Sequence, residues 1–250
     1  MSSIGTPRRD PVARSRPRSR RPPRRHLGPF VALVGLAAAV SAVIVAIRAH
    51  HTVPGVTVPL SNGRTLVLPA TPGLSPLRAR IVRLAESQIG YRTDPATSYC
   101  NKFSAHFQSG STNCPPGEEA EEWCADFAAW TWQQAGALVT YQYLNGDLNS
   151  SAASFYEWGR AHGTWHPRSS GYRPLPGDVA VYGLNPTTLV AAHVAVVIGQ
   201  LPHEAGPVAV NGDGDLTGFS VVEVRTNELY ADIHPTGAPL AGYVAPTPAT

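Results

Sequence analysis

The chain has 250 residues, room for one ordinary domain plus appendages. Its formal charge of +3 hides an asymmetry: nine arginines and one aspartate fall in the first 25 residues, and residues 26–250 hold 11 basic and 16 acidic side chains, about −5. The basic character belongs to the tail, which leaves nucleic-acid binding by the folded part without support.

In chain order, residues 1–28 are rich in Arg, Pro and Ser and too poor in apolar residues to fold, a basic disordered tail. Residues 29–48 contain Phe30 to Ile47, 18 residues without a charge and about enough to cross a hydrocarbon core. The arginines before it favour a cytoplasmic N-terminus. Two readings fit this segment: a signal anchor that remains, or a long signal peptide that is cleaved. Under either, the rest of the chain works outside the cytoplasm. Residues 49–74 read as a linker with a possible hairpin turning at Asn62-Gly63, where Pro59 confines any strand to an edge.

The folded domain is expected over 75–245. Ser75 suits a cap and Pro76 the first helical position, and Leu77, Ile81, Leu84, Ala85 and Ile89 form an apolar stripe running to Gly90. A polar loop over 91–120 and a helix from Trp123 to Ala135, stopped by Gly136, follow. A third helix is expected in "SSAASFYEWGRAHG", with Ser154 and Glu157 in capping-box spacing. The Val-rich runs "DVAVYG", "AAHVAVVIG", "PVAVNGD" and "SVVEVRT" then read as strands. Helices first and strands after predict an α+β domain, its N-terminal helices packed on an antiparallel β-sheet.

Three cysteines in an exported chain leave one over. The simplest allocation pairs Cys100 with Cys114, a loop closure worth about 3 kcal/mol in the chain-entropy picture, and leaves Cys124 free. Spacing also permits Cys114–Cys124. Cys124 falls in the first turn of its helix, where the dipole favours a thiolate, while Glu118, Glu119, Glu121 and Glu122 oppose one. A packing role competes with a nucleophilic one. A nucleophile needs a base, and His193 heads the apolar run "HVAVVIG", a rigid place for one. His162 and His166 have i,i+4 spacing, but Gly163 between them favours a helix end over a metal site. The base needs an acceptor to fix its tautomer. Strand alternation puts Asn211 and Asp213 of "VAVNGDGD" on one side; a plain turn is the alternative.

Together "WCADFAAWTWQQAG", "LPGDVAVYG", "HVAVVIG" and "VAVNGDGD" resemble the successive motifs of the CHAP domain, the cysteine, histidine-dependent amidohydrolase/peptidase of the NlpC/P60-like, papain-like hydrolases. "IVRLAESQIGY" resembles that domain's start and "GYVAP" its end, so the resemblance spans roughly 75–245. It implies a papain-like fold with Cys124 as nucleophile and His193 as base. The family often carries Glu-Gly-Asn where this chain has Asn211-Gly212-Asp213, which leaves both as orienting residues, Asn211 first. It implies a hydrolase of peptidoglycan amide bonds, in the stem peptide, the cross-bridge, or between muramic acid and L-Ala, through a thioester and without metal or cofactor. The membrane segment at 29–48 agrees, facing the domain to the cell wall, and the composition fits a high-GC actinobacterial source. A catalytically silent domain that binds wall peptides or scaffolds an envelope complex, and an envelope cysteine protease, are the alternatives.

Overall fold

The computed structural model describes residues 55–60, 62–144, 146–214, 220–231 and 237–249. The tail at 1–28, the membrane segment at 29–48 and the start of the linker lie outside the described residues. Among those described, no helix is long and apolar enough to cross a membrane.

The first strands, β1 (Val56–Pro59) and β2 (Thr65–Leu68), form an antiparallel hairpin with Gly63 at φ 76° in its turn. It is more than a linker: Val58 and Leu68 are buried in the main core. Helix α1 (Pro76–Ser87) starts as its sequence directs, with Ser75 accepting from the Arg78 N–H at 3.3 Å and Pro76 in the first turn. It ends at Ser87, short of Gly90, whose N–H bonds instead to the Val222 carbonyl.

The stretch expected to be loop carries structure of its own. Strand β3 (Cys100–Asn101) and helix α2 (Lys102–Phe107) lead to β4 (Glu119–Ala120), which pairs back on β3. Asn101 caps α2, accepting from the Phe103 and Ser104 N–H groups. Cys100 and Cys114 are joined, with Cα atoms 5.6 Å apart. Polarity concealed this element because its hydroxyls and amides bond inward: Ser104 and Ser109 both donate to buried Asp126 at 2.7 Å.

Helix α3 (Cys124–Ala135) is buried on nearly every side and ends at Gly136, φ 86°, as expected. Helix α4 (Ser154–Ala161) forms without the expected capping box. Ala153 takes the cap position, and the Ser154 hydroxyl bonds to Asn149 instead.

Next come β5 (Trp165–Pro167), β6 (Val179–Tyr182), β7 (His193–Gly199), β8 (Val208–Gly214), β9 (Val221–Arg225), β10 (Tyr230–Ala231) and β11 (Ala238–Val244). They build one antiparallel sheet in the order β10-β11-β6-β7-β8-β9, with β5 beside β11. This is the expected α+β arrangement, enlarged by β5, β10 and β11. On β7, Val194, Val196 and Ile198 join the helix-side core, while Ala195 and Val197 join a second cluster with Tyr182 and Ala209. Alternation gives His193 to that second face, beside its register partner Tyr182. Close contact of α3 with β8 needs Gly212, since a Cβ there would lie 2.5 Å from the Phe127 Cβ.

Candidate active site

Cys124 is the first residue of α3, and its buried sulfur is the free thiol among the described residues. No side chain of the helix itself caps this end. The cap comes from β8: Asp213 Oδ2 accepts from the Trp123 N–H at 3.2 Å. Ser220 donates to the other Asp213 oxygen and accepts from the Trp123 indole at 2.6 Å. Burial pushes the thiol up to about 12. Asp213, Asp126 and Glu122 add to the rise, and a hydrogen bond from the Val194 N–H opposes it. Cys124 thus meets β7 one residue beyond His193.

His193 is itself buried, and its Nε2 lies 2.8 Å from Asn211 Oδ1. The Asn211 amide has a definite orientation, because its Nδ2 faces two acceptors, the Ala209 carbonyl at 3.5 Å and Glu228 Oε2 at 3.2 Å. Oδ1 is therefore the atom turned to the ring, Nε2 carries the proton, and Nδ1 is the basic nitrogen. Burial lowers the ring to about 4; the Asn211 bond raises it and the Arg225 charge lowers it further. At neutral pH both thiol and imidazole are uncharged in this conformation. Among the described residues, no hydrogen bond joins the Cys124 thiol to the His193 ring.

Asn211 and Asp213, expected to share one side, serve different elements. The pairing of β8 with β9 shifts between Asn211 and Gly214, so two residues of β8 sit against one of β9. Asp213 takes φ 58° there, and its side chain goes to the start of α3 while Asn211 goes to His193. Alternation fails at a bulge, and "NGDG", the signal for a turn, was also the signal for this one.

Other residues of interest prove structural in their contacts. His162 Nδ1 bonds the Trp158 carbonyl and His166 stacks on Tyr172 with ring centres 3.8 Å apart. Asp178 pairs with Arg78 at 2.7 Å. Glu119 accepts from the Gly110 N–H at 2.9 Å, which gives one of the four glutamates a local role. Reading strand by strand missed the group behind Asn211: Glu223, Arg225 and Glu228, all buried. In "VVEVR" Glu223 and Arg225 alternate onto one side of β9, and their burial shows that this side is covered.

Residues 116–213 match the family model of the CHAP domain. No curated protein matches the chain. Among solved structures it is similar to NlpC1 from Trichomonas vaginalis, at 11% identity and a TM-score of 0.36 over 67% of this chain and 43% of that one. It is also similar to NlpC2 from Trichomonas vaginalis, at 10% identity and a TM-score of 0.37 over 74% of this chain and 56% of that one. The chain spans about half the length of these structures. The segment that matches the CHAP domain model carries Cys124, His193, Asn211 and Asp213.

Proposed function

We propose that the protein is a cysteine amidohydrolase/peptidase that cuts amide bonds of peptidoglycan peptides. The observation that carries this reading is the buried His193–Asn211 pair, with Val194, the next residue after His193, bonding the free thiol of Cys124 at the start of a buried helix. In the reaction Cys124 gives its proton to His193 Nδ1 and its sulfur attacks the amide carbonyl. His193 returns the proton to the leaving amine, and a water it then activates hydrolyses the thioester. Asn211 keeps the Nε2–H tautomer throughout. The Phe30–Ile47 run, in this reading, anchors the protein with its domain facing the wall.

The full chain incubated with purified peptidoglycan is expected to release soluble fragments with new amino termini, and their masses identify the bond. Cys124→Ala should lower release by about a thousandfold or more. Unchanged release from that variant would overturn the mechanism.

The raised thiol, without a hydrogen bond to the His193 ring, favours a second reading, a silent domain that binds wall peptides. In that case wild type and Cys124→Ala bind sacculi equally and neither releases fragments.

A further inference from the structure

Behind Asn211 lies a carboxyl group that the proposed mechanism leaves unused. Glu228 is 3% exposed, in the segment between β9 and β10. That segment is fastened: the Glu228 N–H bonds to the Pro207 carbonyl at 3.0 Å, and Asn227 Oδ1 accepts from the Gly206 N–H at 2.8 Å. Gly206 makes the approach possible, since a Cβ there would lie 2.6 Å from the Glu228 nitrogen. One carboxyl oxygen accepts from Asn211 Nδ2, and the other, Oε1, has no partner among the described residues. Buried polar groups that serve packing alone are as a rule satisfied, so a half-satisfied buried carboxyl points to another role.

The groups around it define that role. Tyr182 of β6 donates to the Glu228 carbonyl oxygen at 3.3 Å, and Tyr243 of β11 stands within electrostatic range. From β9, Arg225 is taken up by Glu223, its Nε and a terminal nitrogen reaching one carboxyl oxygen at 3.0 and 2.8 Å. Glu228 is the carboxyl group hydrogen-bonded behind the His193–Asn211 pair, and it carries a charge there once ionised. Burial pushes its carboxyl up to about 7; Arg225, the bond from Asn211 and the nearby Tyr182 hydroxyl lower it, and Glu223 raises it.

We propose that Glu228 is a positioning residue for His193. Its carboxyl group fixes the Asn211 amide so that Oδ1 faces the ring, and above neutral pH its charge favours the imidazolium formed when Cys124 gives up its proton. The inference rests on the Cys124–His193 reading above, and its test needs no peptidoglycan.

The full chain, labelled with 13C and 15N, is titrated while the His193 ring nitrogens and the Glu228 carboxyl carbon are followed, and the rate of Cys124 alkylation by iodoacetamide is measured alongside. Wild type is expected to show the Nε2–H tautomer. Glu228→Gln keeps an acceptor for Asn211 and loses the charge. It should keep the tautomer and slow alkylation about tenfold at about pH 8.5, where the wild-type carboxyl is ionised. Glu228→Ala should also mix the tautomers. Identical tautomers and alkylation rates in all three proteins overturn the inference. If thermal melts show either variant unfolded, wild type decides. Ring nitrogens of His193 that shift in step with the Glu228 carboxyl carbon uphold the inference, and ring nitrogens indifferent to it overturn it. Absence of peptidoglycan fragments together with the expected ring shifts removes the proposed function and leaves Glu228 in its role.

Discussion

Asn211 and Asp213 stand two residues apart, and their different partners predict different phenotypes. Asn211 acts on the ring, so Asn211→Ala should lower fragment release while leaving the melting temperature within a few degrees of wild type. Asp213 acts on the helix start and raises the Cys124 thiol. Asp213→Asn keeps an acceptor and removes the charge, so the midpoint of Cys124 alkylation should move to lower pH. Asp213→Ala also removes the cap and should destabilise by about 1 kcal/mol in urea unfolding. An unchanged alkylation midpoint in Asp213→Asn would mean that the charge is screened from the sulfur. The sequence showed both residues and the order of Cys124 and His193. It did not show which of the two holds the ring, because a one-residue bulge, invisible to a period of two, decides it.

Helix α3 was legible because its alanines and aromatics have no polar face, so burial on all sides was its stable option. The 91–120 segment was not, because its core is polar: Asn101, Ser104 and Asp126 satisfy one another where apolar residues would announce burial. Strands β10 and β11 were missed for length and composition, two residues in one and a glycine in the middle of the other. Contact between α3 and β8 is tight at Gly212, where an added methyl group would meet the Phe127 side chain and backbone strain is not the cause. Gly212→Ala should therefore cost about 1–3 kcal/mol in urea unfolding. Paired with Phe127→Leu it should cost less than the sum of the two changes, a coupling that separated sites would not show.

Taken whole, the molecule joins a basic tail and an apolar run to a folded part that begins at its hairpin. The anchor reading predicts that the full chain stays with membranes through an alkaline carbonate wash and that deletion of residues 29–48 releases it; recovery of the full chain in the wash supernatant would reject it. The hairpin sets where such cuts are safe. A fragment starting at residue 75 loses Val58 and Leu68 from the core, and Leu68 packs on Gly199 at the far end of the strand that His193 begins. There is a mechanical side to this. Val56 pairs with Leu68 at the open end of the hairpin, so tension arriving through Gly55 pulls the two strands apart from that end. Loaded this way the ladder parts one pair at a time, not all at once as in shear. The hairpin would then give as a short extensible fuse, paying out chain before the load reaches the helix that carries Cys124.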